Sequence, residues 1–144
     1  SDDLIPVMAK VLCGLGIRHA MVVHGEDGFD EISISAPTKV AEIKDGGIFE
    51  YTITPEQFGL PMAEKEEVVG GSPEENALIT QGILDGTIRD AKRNIVLLNA
   101  GCALYVVGQA GSIGDGVALA AEMIDSGAAL AKLEELKQFT NALA

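Results

Sequence analysis

The groups able to do chemistry are concentrated in eight residues. His24-Gly25-Glu26-Asp27-Gly28-Phe29-Asp30-Glu31 holds four carboxylates and two glycines. Adjacent carboxylates on a flexible loop make a hard, anionic oxygen site suited to Mg²⁺. They do not fill a coordination shell, so the metal would keep waters and share a substrate's phosphates, which points to a di- or triphosphate ester. A solvated acidic turn has the same composition, since runs of charge are usually surface, and composition leaves both readings open. His24 could be a general acid, a base or a ligand, yet no nucleophile or partner stands at a telling spacing. A structural histidine at a strand end is the simpler account. Gly108-Gln109-Ala110-Gly111-Ser112-Ile113-Gly114 superficially looks like a phosphate loop, but it follows a helical pattern instead of a strand. It reads as a corner between helices. Asn99, in the middle of an apolar helix, needs partners if buried, and a structural hydrogen bond explains it better than catalysis. Glu74, Glu75 and Asn76 are accounted for by helix capping.

The elements that must position these groups are legible from periodicity. Asp3 to Leu15 carries apolar residues at helical spacing, with Pro6 in the first turn and Gly14 and Gly16 closing the segment. Ala20-Met21-Val22-Val23 is a short continuous apolar run ending at His24-Gly25, the pattern of a strand covered on both faces, as in a parallel α/β sheet. The acidic segment then lies at the C-terminal end of that strand, the edge at which open α/β sheets bind ligands. Lys44-Asp45-Gly46-Gly47 is a turn between Thr38–Ile43 and Ile48–Ile53, predicting a hairpin that leaves the main sheet as a surface excursion. In its second strand Phe49, Tyr51 and Ile53 are expected on a buried face. Thr54-Pro55-Glu56-Gln57 and Ser72-Pro73-Glu74-Glu75 each write a helix start: capping hydroxyl, proline, then an acceptor three residues on. Further helices are expected from Thr87 through Val106, from Ser112 to about Ser126, and from Ala128 to Leu143. The last carries a stripe of Leu130, Leu133, Leu136 and Phe139 or Leu143. Only one convincing buried strand is present for a parallel sheet, so further strands are expected outside these residues.

Bulk properties narrow the class. A chain of 144 residues with 47% hydrophobic and 22% charged content suits one globular domain and is too polar for a membrane protein. Its longest apolar run, Ile95 to Gly108, contains Asn99 and is too short to span a bilayer. With 22 acidic against 10 basic residues and a net charge of −12, nucleic acid and anionic lipid are poor partners. A metal or a metal-bound anion fits better. Cys13 and Cys102 sit in apolar helical contexts that suit a reducing cytosol, and no cationic stretch with a following apolar run suggests a secretory signal.

The order of the segments resembles the anthranilate phosphoribosyltransferase family over essentially the whole chain. Val22-Val23-His24-Gly25 followed by Asp27-Gly28-Phe29-Asp30-Glu31-Ile32-Ser33 is similar to the family region in which an aspartate-glutamate pair binds two magnesium ions. Collinear matches follow at Ala36-Pro37-Thr38-Lys39-Val40-Ala41-Glu42, Pro55-Glu56-Gln57-Phe58-Gly59-Leu60, Gly70-Gly71-Ser72-Pro73-Glu74-Glu75-Asn76-Ala77 and Leu97-Leu98-Asn99-Ala100. Ile124-Asp125-Ser126-Gly127 with Ala129-Leu130 resembles a C-terminal helix junction, although the family more often has lysine where this chain has Ala128.

The resemblance implies an α/β fold: part of a nucleoside phosphorylase/phosphoribosyltransferase-type catalytic domain, with a mixed sheet, a β-hairpin excursion and packed C-terminal helices. Residues 1–144 would be the C-terminal portion of that domain. It further implies transfer of phosphoribosyl from 5-phosphoribosyl diphosphate (PRPP) to anthranilate, in tryptophan biosynthesis, with Mg²⁺ as cofactor. Asp30 would ligate one ion and Glu31 both, and no general base is assigned. The full-length protein would be a cytoplasmic homodimer. The family's helical domain, glycine-rich diphosphate loop, Asn-Ser-Thr and Lys-His-Gly-Asn segments and anthranilate-receiving arginine have no counterpart here. The segment alone is therefore expected to bind Mg²⁺ weakly, to turn over no substrate, and to expose an apolar sheet edge that favours self-association. Two alternatives compete. A non-catalytic binding protein on the same fold would have let the acidic pair drift, and Asp30 and Glu31 are both intact; a nucleoside phosphorylase would lack the acidic loop and the collinear blocks.

Overall fold

The computed structural model describes residues 2–143. The expected first helix forms as a short 3-10 turn, Asp2–Leu4, running into α1, Ile5–Gly14. It leads into a sheet of three strands, β1 (His19–Gly25), β2 (Thr38–Lys44) and β3 (Gly47–Ile53), in the order β1-β2-β3. Helices α2 (Pro73–Leu84), α3 (Ala91–Val106), α4 (Ile113–Asp125) and α5 (Ala128–Asn141) follow.

Strand alternation divides the core into two layers. Ala20 and Val22 of β1, with Ala41 and Ile43 of β2, face α1 and pack on its Ile5 and Ala9. Met21, Val23, Val40 and Ile53 point to the opposite face, against Leu97, Leu98 and Cys102 of α3 and Val117, Ala120 and Ile124 of α4. The apolar run 20–23 is thus covered on both faces, as its continuity predicts. Its described neighbour, however, is antiparallel: Val22 pairs with Ala41 and Val23 with Val40.

Two fold expectations are corrected here. All described strand pairs are antiparallel, so a mixed sheet is not what these residues build by themselves. The hairpin is no excursion either, because its first strand, β2, is the central strand and has five buried residues of seven. The turn is as read: Asp45 and Gly46 both have positive φ, the geometry of a two-residue hairpin turn matched to strand twist. Of the three residues expected inward on β3, Ile53 is buried, Tyr51 half-buried and Phe49 exposed, since Phe49 lies at the turn end beyond the packed helices.

The helix starts are realised unevenly. Ser72 caps α2, its hydroxyl accepting from Glu75 N–H at 3.3 Å while Glu75 Oε2 accepts from Ser72 N–H at 2.7 Å. Thr54-Pro55 opens only a 3-10 turn, Pro55–Phe58, which Gly59 ends in the left-handed region at φ 75°. Thr87 does not cap α3. It donates to Asp85 Oδ1 and to the Gly82 carbonyl, closing α2, whereas Asp90 caps α3 by accepting from Lys92 N–H at 2.9 Å. Along α5, Leu130 and Leu133 are half-buried but Leu136 and Phe139 are exposed, so the predicted stripe runs past the body it packs on. Other exposed apolar residues line the outer side of α1 (Leu4, Val7, Met8, Val11, Leu15). Next to it, β1 has no strand partner on its outer edge among the described residues.

Candidate functional site

The acidic segment becomes the first part of the loop joining β1 to β2, and that loop is closely tied. Gly25 N–H donates to the Phe29 carbonyl at 3.1 Å, Glu26 N–H to Pro37 at 2.9 Å, and Gly28 N–H to Gly25 at 2.9 Å. Gly25 is required by space: a Cβ there would lie 2.6 Å from Asp27 Oδ1 and 3.1 Å from Ser33 Cβ. Gly28 supplies a positive φ of 90°.

The four carboxylates have different roles. Asp27 turns inward: its Oδ2 accepts from Ser33 Oγ at 2.6 Å and Ser35 Oγ at 2.5 Å, and its Oδ1 from Phe29 N–H at 3.3 Å. Burial pushes this carboxyl up, but the donors from Ser33, Ser35 and Phe29 outweigh it and hold it below the ordinary range. Lys65, from the 3-10 helix Lys65–Val68, donates to the Asp27 carbonyl at 2.6 Å and lies over the Phe29 ring. Glu26 is exposed. Asp30 and Glu31 are also exposed, and neither makes a side-chain hydrogen bond or ion pair among the described residues. Immediately after them Ile32 is buried and fastened from α3. Asn99 Oδ1 accepts from Ile32 N–H at 3.0 Å, while Asn99 Nδ2 donates to the Ile32 carbonyl at 2.8 Å and to Ile95 at 3.0 Å.

Two adjacent carboxylates with free oxygens at the end of a strand have the donor chemistry for a hard divalent cation, and leave most of its shell to water or phosphate oxygens. No group of three or more potential metal-ligating side chains occurs among the described residues. His24 stands apart from the pair, its Nε2 3.3 Å from Asp2 Oδ1. Asn99 has the structural role expected of it. The glycine-rich segment is the corner between α3 and α4, and Asp115 in the first turn of α4 leaves no welcome there for phosphate.

Sequence reasoning missed a second polar centre. Glu42, only 7% exposed, accepts from Tyr51 OH at 2.9 Å and Tyr105 OH at 2.8 Å, and contacts His19 Nε2 at 2.9 Å. Lys44 donates to Tyr105 OH at 2.9 Å. Burial raises the Glu42 carboxyl, and bonds from Tyr105, His19 and Tyr51 more than compensate, holding it below its ordinary value. Burial and the neighbouring carboxylate raise Tyr51 strongly. The signal was present: a glutamate between the apolar Ala41 and Ile43, in register with inward-facing Val40, must find donors. Which donors it finds depends on α3 crossing β1 and β2.

Comparison with known proteins agrees with this geometry. The family described as glycosyl transferase family, a/b domain, matches residues 1–130. An anthranilate phosphoribosyltransferase of Methanobrevibacter smithii is 48% identical over 141 residues, 98% of this chain and 42% of that protein. The crystal structure of anthranilate phosphoribosyltransferase from Thermus thermophilus superposes with a TM-score of 0.85 at 38% identity, over 94% of this chain and 39% of the other. The Saccharomyces cerevisiae anthranilate phosphoribosyltransferase in complex with PRPP and Mg gives a TM-score of 0.82 at 30% identity, over 93% and 39%. The chain therefore spans about two fifths of the length of the relatives it matches.

Proposed function

The chain belongs to the glycosyl transferase family, as its a/b domain, and from that premise we infer that it forms the magnesium-binding part of an anthranilate phosphoribosyltransferase. The reaction is transfer of phosphoribosyl from PRPP to anthranilate, giving N-(5-phosphoribosyl)anthranilate and diphosphate in tryptophan biosynthesis. One observation supports this most: Asp30 and Glu31, the adjacent pair that resembles the family's metal ligands, stand exposed and unengaged, while Asp27 on the same loop is consumed internally and Glu26 stands apart from them in sequence. Asp30 would hold one ion and Glu31 would bridge two. When bound, magnesium neutralises charge on the departing diphosphate. The chain's own part is to present the two carboxylates from a braced loop, so that the phosphates arrive at a fixed place relative to the amine. The aromatic amine is a neutral nucleophile, and no general base is assigned among residues 2–143. Contacts to the rest of PRPP and to anthranilate are assigned in this reading to the remaining three fifths of the relatives' length, and the segment alone is expected not to turn over substrate. The whole protein is proposed to be a cytoplasmic homodimer; Cys13 and Cys102 are free, and no described helix is long and apolar enough to cross a membrane.

The test is loss of anthranilate fluorescence with PRPP and Mg²⁺, using a protein of the relatives' full length that contains these residues, beside its Asp30→Ala variant. Magnesium-dependent turnover that collapses in the variant is expected. An unaffected variant would remove the metal role of Asp30, and no turnover by the parent would remove the reaction.

A further inference from the structure

The acidic pair is free, but the backbone on either side of it is not. Upstream, Phe29 is held twice, through its N–H to Asp27 Oδ1 and through its carbonyl to Gly25 N–H, while Asp27 Oδ2 is anchored on the hydroxyls of Ser33 and Ser35. Downstream, the Asn99 side chain pairs with both backbone groups of Ile32, and its remaining donor goes to Ile95, which sets its orientation. Only residues 30 and 31 lie between these two clamps. Phe29 and Ile32 are thus fastened to different bodies, the β1–β2 loop core and helix α3, within a span of four residues.

We propose that Asp27 and Asn99 are positioning residues for the divalent cation: they hold residues 29–32 so that Asp30 and Glu31 meet the metal without the loop having to order on binding. This rests on reading the pair as metal donors. Asp27 and Asn99 are both engaged by protein groups and are not assigned as metal donors, and the two clamps share no hydrogen-bond partner. Asn cannot replace Asp27 in either orientation. With its oxygen toward the serines its amino group faces the Phe29 N–H, and reversed it faces Ser33 Oγ, whose lone pairs are already taken by the Ser35 and Ala36 N–H groups. Asp cannot replace Asn99, because it loses both donors and sets a carboxylate against the Ile32 carbonyl.

The experiment is a Mn²⁺ titration of a protein of the relatives' full length that contains these residues, read by paramagnetic broadening in ¹⁵N TROSY spectra, together with amide hydrogen exchange. Wild type, Asp27→Asn, Asn99→Asp and Asp30→Ala are compared. In wild type, broadening is expected to centre on residues 29–32 and to vanish in Asp30→Ala. Asp27→Asn should require about tenfold more Mn²⁺ for the same broadening, the usual scale for groups that orient ligands. Its loop amides should exchange faster while those of Leu97, Leu98 and Val117 stay protected. If Asn99→Asp fails to fold, Asp27→Asn decides alone. Wild-type Mn²⁺ affinity in Asp27→Asn overturns the proposal. Absence of an Asp30-dependent site in wild type overturns the metal reading and this proposal with it; those two failures are told apart by the Asp30→Ala trace.

Discussion

Helices α3 and α4 make their contact backbone to backbone at Gly101 and Gly116, so Gly101→Ala tests the fold directly. An added Cβ at position 101 would sit 2.6 Å from both Val117 N and Val117 Cγ2 and 2.9 Å from Val117 Cα. Ordinary contact begins near 3.4 Å, so α4 must retreat by roughly 0.8 Å, enough to forfeit a quarter to a half of the dispersion well between facing groups. The losses fall on Leu97, Leu98, Val117 and Ala120, all buried in one cluster. Overpacking typically costs ~1–3 kcal/mol, and the rigid backbone on the far side argues for the upper end. Against it stands a gain of about 1 kcal/mol from replacing glycine by alanine inside a helix. The net is about 2 kcal/mol of destabilisation, which for a domain of this size lowers Tm by roughly 6–8 °C. Thermal unfolding followed by circular dichroism measures it. Gly114→Ala is the control, since a Cβ there meets nothing nearer than Ser112 Oγ at 3.8 Å, and it should be neutral or slightly stabilising. A Gly101→Ala protein melting at or above wild type would refute the close approach of α3 and α4.

Glu42 makes stability depend on pH in acid. Its folded carboxyl titrates below the ordinary value of 4.5, so its contribution is complete above that value and is lost as pH falls through the lowered folded pKa. Melting temperatures measured downward from pH 6 should therefore fall less steeply for Glu42→Gln than for wild type, even though the variant is less stable at pH 6; parallel slopes would contradict the assignment. Burial pushes the Cys102 thiol up to about 12, so at pH 8 a thiol reagent should modify half-exposed Cys13 in the native protein and reach Cys102 only in denaturant. Equal native labelling of both, read by mass spectrometry, would show α3 to be looser than its packing implies.

Local rules decided much of this chain. The hairpin turn at Asp45-Gly46, the cap at Ser72, the corner at Gly108–Gly114 and the two-faced strand 20–23 each depend on a few neighbouring residues, whose φ preferences, hydroxyls and periodicity act within one turn or strand. The acidic pair was legible for the same reason, because Asp30 and Glu31 are adjacent in the chain. What sequence left open was which carboxylates stay free. Asp27 and Asp30 look alike in a run of charges, and only folding brings Ser33 and Ser35 back onto one of them and leaves the other in solvent. Sheet topology was likewise undetermined: an apolar strand does not announce whether its neighbour runs parallel, and β2 is the central strand because β1 and β3 pair with its two edges, a choice made only when the chain folds back. The Glu42 centre and the Asn99 clamp join residues 63 and 67 positions apart, and contacts of that range have no local pattern by which to be read. Short-range chemistry wrote the loop and its carboxylates, whereas long-range packing selected their orientation, because a hydrogen-bond partner across the fold exists only once the layers have closed.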